Sequence, residues 1–566
     1  MKNILKINYL FIVSLFATAL IMLSSCSKKL DDAYLNPNNP IDGAIESILP
    51  NVINQMTSSA TPPNGGGGGS YGPAYDGIYI GCYIQFWNYY GTSYLYDQMG
   101  GVYGLASDVT GGVWAGHYYG IGKNALYIIK KGKEQQKWDY VGVANAIFAW
   151  SWLTTTEEYG EIILKQAFDT TRDHFDYDAQ SLVYDTVRQL CDSAIMYLNR
   201  TDGNVNAANL AIGDGYFYGG DVNKWKKFVY GVKARSYAHL SNKSIYTTNH
   251  YADSVIKYVD LSLQTNADNA TQKWQGGNFS GLNNFYGVYR QNVATFRQSA
   301  FIADLLSGAN TVSPFTGIFD PRTPYLINEN AVTPIVQSTV SYKGVQPNLG
   351  TSSPGLSLTA NQPKSLWRQI YSSVSTAVPD SGKYIFNNLA EFPVMTAAEM
   401  QFLKAEAAYR AGYSSIAWIA YKNGISLSFD FLIGKYEGRL PTAQKITAAS
   451  RAAYMANPAV VPATASSLTL TQIMLQKFIA IYGYGANEAW TDLRRFHYTD
   501  LDPVTGKQVY AGFNVPTTLS QYNNSKLVYR MRPRYNSEYL YDIPSLQVIG
   551  ALAPDYHTKE QWFSQP

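Results

Sequence analysis

Six histidines, His117, His174, His239, His250, His497 and His557, are scattered along the chain, and no two stand at the i, i+4 spacing that sets two imidazoles on one helix face to hold zinc. Asp173, Asp176 and Asp178 offer oxygens to a calcium ion, but the glycine and closing glutamate of an EF-hand loop are missing. Gly68-Gly69-Ser70-Tyr71-Gly72 has the spacing of a nucleophile elbow, yet it lies in a five-glycine run where the elbow needs a preceding hydrophobic strand, so it reads as a flexible loop. Two further glycine patterns, Gly67 to Gly72 and Gly120-Ile121-Gly122 with Ala125, lack the strand-turn-helix setting and the following acidic residue of a dinucleotide loop. Glu157 and Glu158 adjoin, so on a helix they diverge, form no acid and base pair, and are expected as solvated surface charges. The sequence therefore presents no catalytic constellation, no metal site and no cofactor site.

Cys26 carries the most specific chemistry. Lys2 and Lys6 precede an almost wholly apolar stretch, Tyr9 to Leu23, which has the length of a secretory signal and is too short to span a bilayer. It ends in Leu23-Ser24-Ser25-Cys26, which resembles a bacterial lipobox: small residues admit the signal peptidase, and the cysteine thiol takes a diacylglycerol before cleavage. Lipidation at Cys26 would make it the first mature residue, and triacylation gives more than one chain, which stable anchoring needs. Ser27 to Pro40, with the run Asn36-Pro37-Asn38-Asn39-Pro40, reads as a polar tether rich in turn residues. The expected division is a signal peptide over 1–25, a lipidated tether over 26–45 and a single helical domain over 46–566. Cys82 and Cys191 can pair in an oxidising compartment, but Cys191 falls in a helical apolar pattern that suits a buried free thiol.

Aromatic residues are the next candidates, as ligand contacts. Between Tyr71 and Tyr119 stand 14 aromatics in 49 residues, about twice the chain average, among ten glycines. Tyr75, Tyr79, Tyr83, Phe86 and Tyr90 share helical spacing and are assigned to packing first, and Trp114 and Tyr118 begin the next helix. Asn88 to Ser107 has no clean period, and such a loop presents rings to a ligand. Flat aromatic faces gain contact from the axial hydrogens of a sugar ring while Asn and Asp fix hydroxyls, and a peptide would use the same rings. Trp274, Phe279, Tyr286 and Tyr289 form a second cluster. The candidate ligand-binding residues are Trp87, Tyr89, Tyr94, Tyr96, Trp274 and Tyr286.

The elements that position these residues are mainly helices. Apolar residues at helical spacing mark Val141 to Trp152, Val183 to Leu198, Trp225 to Ser236 and Leu470 to Ile481. Ala398 to Phe429 reads as two helices around a tight turn at Gly412, like a tetratricopeptide hairpin. From about 265 to 390 periodicity fades and Asn, Gly, Ser, Thr and Pro accumulate, which predicts long ordered surface loops of functional kind. At 566 residues the chain is multidomain or repetitive, and 46% hydrophobic with 15% charged residues places it among folded globular proteins. The net charge is +3, and removing residues 1–25 leaves 42 basic against 41 acidic residues, so nothing draws the chain to nucleic acid.

In order, the motifs resemble those of SusD/RagB-like outer-membrane lipoproteins. The resemblance rests on the lipobox and Asn-Pro tether, Tyr159-Gly160-Glu161-Ile162, Tyr177-Asp178, and Gly220-Asp221-Val222-Asn223-Lys224-Trp225 with Lys233 and Arg235. It continues through Asp320-Pro321-Arg322, Phe402-Leu403-Lys404-Ala405-Glu406-Ala407, Gln476-Lys477, Glu488 to Arg495, and Arg534-Tyr535-Asn536-Ser537-Glu538. Two departures are local: Asn536 where the family often has proline, and Phe496-His497-Tyr498-Thr499 without the usual glycine and proline. The resemblance implies a mostly α fold, a tetratricopeptide-like helical-hairpin scaffold with long irregular ligand-binding loops. It implies a non-catalytic receptor, lipid-anchored in the outer membrane and facing the cell exterior, that captures oligosaccharides for a SusC-type TonB-dependent transporter. An oligopeptide ligand is the alternative within the family, and a surface hydrolase the alternative outside it. Trp225 and Trp490 are expected to pack helices, with Arg494 and Arg495 pairing with Asp492, Glu488 or backbone carbonyls. Family ligand contacts vary between members, so none is carried over to a residue here.

Overall fold

The computed structural model is mostly helical: the apolar stripes over 141–152, 183–198, 225–236 and 470–480 lie on helices, whereas the one read from Tyr75 to Tyr90 stays helical only to Tyr83, with Phe86 and Tyr90 beyond it on either side of a short strand. Residues 43–58, 71–92, 96–97, 99, 111–330, 341–368, 380 and 382–566 are described. Cys26 with its leader and tether, the glycines of 65–69, Tyr94 and Tyr103 lie outside the described residues. The elements used below are α1 (Ile45–Asn54), α2 (Pro73–Tyr83), β1 (Trp87–Tyr89), α3 (Lys123–Glu134), α4 (Trp138–Tyr159), α5 (Gln180–Leu198), α6 (Val222–Ala238) and α7 (Tyr251–Leu261). They continue with β2 (Ala270–Gln272), β3 (Phe296–Gln298), α8 (Ala300–Ser307), β4 (Phe392–Met395), α9 (Ala397–Arg410), α10 (Ser414–Tyr436), α11 (Leu470–Ala480) and α12 (Ala486–Arg495).

Local chemistry starts and stops these helices. The Asp221 carboxylate accepts from the Asn223 and Lys224 amides at 2.9 and 3.2 Å to open α6. Thr396 and Thr469 cap α9 and α11 in the same way, the latter in a capping box with Gln472. α4 ends at Gly160, whose φ of +86° suits glycine, and where a Cβ would meet the Arg530 guanidinium at 2.9 Å. Gly412, at φ +79°, turns α9 back into α10, so the expected hairpin forms.

The helices pack as an ordered stack: α3 on α4, α4 on α5, α5 on α6, α6 on α7, α7 on α9, and α9 on both α10 and α11. One contiguous core runs from Ile45 to Phe563 and includes Trp225 and Trp490, both fully buried as expected. Against this scaffold lies the irregular part, held by two antiparallel ribbons. β1 pairs with β3, setting Asn88 opposite Arg297, and β2 pairs with β4 across a bulge at Ala270. No helix of the described residues is long and apolar enough to cross a membrane. Cys82 and Cys191 are buried free thiols.

A buried ionic network ties the stack together. Arg235 grips Glu399 with Nε and Nη2 at 2.6 and 2.8 Å, and Lys477 bridges Glu488 and Asp492 at 2.7 and 2.8 Å. Arg495 joins Asp492 at 2.5 Å and holds both oxygens of Glu406 at 2.8 and 2.9 Å. Arg494 turns instead to backbone carbonyls, donating to Glu157 and Tyr529 at 2.5 and 3.1 Å. Burying so many charges is tolerable only because each carboxylate meets a cation or another donor.

This network corrects one expectation. Glu157 and Glu158 are buried, not solvated. They diverge, as neighbours on a helix must: Glu157 accepts from Tyr184 and pairs with His239, while Glu158 reaches Asp76 and Asn487. Where the chain departs from glycine after Arg495, His497 and Tyr498 adopt φ of +42° and +64°, a strain offset by Tyr498 accepting from Trp490 Nε1 at 2.8 Å.

Candidate ligand-binding trough

The Asp320-Pro321-Arg322 motif borders a cavity of the irregular region. The fully buried Arg322 donates Nη2 to Asp320 and to Gln476 at 2.6 Å each, and Nη1 to Ser428 at 3.1 Å. Tyr454 donates to the same Asp320 carboxylate at 2.8 Å. This clamp fixes the loop onto α10 and α11, and Phe319, just ahead of it, is left 48% exposed. Beside Phe319 stands Tyr342, with ring centroids 5.9 Å apart and planes at 49°. Tyr342 is held because Gln298 of β3 donates Nε2 to the carbonyl of Lys343 at 2.9 Å and Val345 bridges Ser299.

Three cavities meet along this edge. One of about 900 Å³ lies between α8, the 346–349 loop and the 507–518 segment. A second of about 500 Å³ shares Ala300, Asp304, Ala309 and Gln346 with it. The third, of about 820 Å³, shares Phe319 and Tyr342 with the second. Shared walls make them one trough, with an aromatic pair at one junction and a carboxylate at the other. No hydrogen bond or ion pair to the Asp304 carboxylate occurs among the described residues, and burial pushes it up to about 6. The exposed Phe319 face, an unengaged carboxylate and the amide of Gln346 are groups suited to a polar ring ligand, whereas the amides of Asn310 and Asn348 are spent on backbone groups of the protein.

The aromatic candidates read from the sequence fall elsewhere. Trp87, Tyr96 and Tyr286 are interior packing residues: Trp87 Nε1 donates to Ile78 at 2.9 Å, the Tyr96 hydroxyl to Tyr83, and the Tyr286 hydroxyl to Ala74 at 3.1 Å. With both ring and polar handle used inside, they present no surface to a ligand. The physical reason is aromatic packing between α2 and the ribbons, where Trp87 stacks edge-on against Tyr286 at 5.5 Å. Trp274 is nearly buried, and its Nε1 has no partner among the described residues. Tyr89 is half-buried beside Tyr90, with centroids 4.9 Å apart, and Tyr90 accepts through its carbonyl from Thr351 at 2.7 Å, next to the trough loop. Tyr94 lies outside the described residues.

The trough residues Asp304, Phe319 and Tyr342 had no local signal beyond lying in the aperiodic 265–390 region. Two of the three aspartates considered for calcium have other partners: Asp178 accepts from the Leu164 and Lys165 amides at 3.2 and 2.8 Å, and Asp176 from Gln166 at 2.7 Å.

Solved structures share this architecture. A SusD/RagB family protein from Bacteroides thetaiotaomicron superposes with a TM-score of 0.63 at 22% identity, covering 92% of this chain and 99% of that one. A SusD homologue from Bacteroides uniformis gives 0.61 at 20%, covering 93% and 100%. A chitin-binding SusD homologue from Flavobacterium johnsoniae gives 0.60 at 18%, covering 92% and 98%. A comparison with curated proteins found no match. The SusD-like family model, described as starch-binding and associating with the outer membrane, matches residues 70–521. With that match across most of its length, this chain belongs to the SusD-like family of outer-membrane-associated glycan-binding proteins.

Proposed function

We propose that the protein is a non-catalytic surface receptor that holds an oligosaccharide in the trough and passes it to a SusC-type TonB-dependent transporter. In this reading Cys26 carries the lipid that anchors it to the outer membrane, facing outward, with residues 46–566 acting as one domain. The observation that carries the reading is that the three cavities share walls, the second and third at the Phe319 and Tyr342 pair and the first and second at Asp304. A ring pair at a junction supports one sugar face while ligand extends to either side. The chitin-binding homologue from Flavobacterium johnsoniae is consistent with a glycan as ligand. Tyr89, whose neighbour Tyr90 accepts from the Thr351 amide beside the trough loop, is an outer contact in this proposal.

The test is calorimetry of the chain from Ser27 onward against neutral and acidic oligosaccharides and a tryptic peptide mixture. Saturable heat with a glycan, lost in Phe319→Ala, supports the reading. Heat with peptides alone replaces it with the oligopeptide alternative, and glycan binding untouched by Phe319→Ala removes the trough from it.

A further inference from the structure

Resting on the trough as the oligosaccharide site, we infer that its preferred substrate is an anionic glycan, one bearing carboxylate or sulfate groups on its rings. The charged side chains that line the trough are Lys343, Lys445, Lys507 and a single carboxylate, Asp304. One lysine stands in each cavity: Lys507 in the first, Lys343 in the second and Lys445 in the third. None of the three ammonium groups has a carboxylate partner among the described residues. Lys343 donates only to the carbonyl of Gly355, at 3.3 Å. Elsewhere Lys137, Lys233, Lys404, Lys435 and Lys477 each meet an acid. Unpaired lysines spaced along a groove leave its potential positive.

A second observation adds to the same sign. Asn330 and Ser341 exchange hydrogen bonds at 3.0 and 3.2 Å, which brings Glu329 close to the segment that carries Tyr342. Three cations gather on that one carboxylate: Lys364 at 2.9 Å, Arg368 at 3.1 Å and Lys383 at 3.1 Å. One carboxylate cannot neutralise three cations, so the wall behind the aromatic pair keeps a positive excess in a poorly screened place. Asp304, at the far junction, serves hydroxyls. Rings that stack on Phe319 with their acidic groups toward Lys343 and Lys445 satisfy the two lysines nearest the aromatic pair, and a longer chain reaches Lys507 in the first cavity.

The test uses the full chain purified in detergent, with tetragalacturonate, its neutral methyl ester, a sulfated chondroitin tetrasaccharide and chitotetraose as probes. The acidic tetrasaccharides, or one of them, are expected to bind about tenfold or more tighter than the ester at low salt, with affinity falling steeply toward about 0.5 M salt. Lys343→Gln and Lys445→Gln each weaken that binding several-fold without shifting the melting temperature. The uronate and sulfate arms tell which anion is preferred. Equal binding of acid and ester, lost in Phe319→Ala, overturns the anionic preference and leaves the trough standing. Salt-dependent binding untouched by Phe319→Ala and by both lysine variants overturns the inference together with the trough, and silence with all four glycans does the same.

Discussion

The Phe319 ring lies 5.9 Å from that of Tyr342, one half exposed and the other buried, at the wall shared by two cavities. The buried partner fixes the exposed one, so the platform exists before ligand arrives and little ordering entropy opposes binding.

Phe319→Ala is therefore expected to weaken glycan affinity about three- to tenfold, the range of an aromatic contact worth roughly 0.5–1.5 kcal/mol. Because the ring is exposed, the melting temperature stays within a degree or two of wild type, about the noise of a surface change. Calorimetry with parallel thermal melts checks both halves; a large loss of stability would show that the ring packs the fold.

Arg495 and Glu406 make a fully buried two-bond pair between α12 and α9. Breaking one side strands a buried charge, so Glu406→Gln should cost about 3–5 kcal/mol. Adding Arg495→Met to it should recover part of the loss, since an apolar side chain strands nothing. Denaturant unfolding of the two variants decides; a single variant as stable as wild type would refute the arrangement.

His239 sits between Glu157 and Glu488, with Nε2 3.1 Å from Glu488. Burial alone would lower its pKa, but the two carboxylates outweigh burial and hold it up at about 9. A folded pKa above the unfolded value means stabilisation that is fully present below about 6.5 and lost as pH rises through about 9. Its size is on the order of 3 kcal/mol. The stability gap between wild type and His239→Gln should close between about pH 7 and 10, and a gap that stays constant across that window would count against the ion triad.

Asp76 accepts from the Gly112 and Val113 amides at 3.0 and 2.6 Å, and the neighbouring Glu158 bonds to it. Burial raises both carboxyls, Asp76 to about 7, and because both Asp76 oxygens already accept backbone N–H bonds, the proton that the pair shares is assigned to Glu158. Glu158→Gln keeps a donor there and should cost under about 1 kcal/mol, whereas Asp76→Asn turns an amide group toward two N–H donors and should cost about 2–4 kcal/mol. Thermal unfolding of the two variants is the measurement, and the reverse ranking would place the proton on Asp76.

What the sequence determined by itself is the scaffold. The helices over Val141 to Trp152, Val183 to Leu198, Trp225 to Ser236 and Leu470 to Ala480, and the Gly412 hairpin, follow from periodicities and turn residues that act within a few residues of chain. The burial of Trp225 and Trp490 and the pairing of Arg495 were legible from the motifs that contain them. Exposure is different, because it depends on what other segments lie on top. Trp87 and Tyr286 look like ligand rings in an aperiodic stretch, yet folding brings them together inside, and Glu157 and Glu158 look like surface charges until α6 and α12 close over them. The trough is assembled from α8, the 309–319 loop, the 341–356 segment and residues near 445 and 515, which no local pattern joins. Only the tertiary structure decides which aromatic is left at the surface, since that is settled by long-range packing and by the Arg322 clamp.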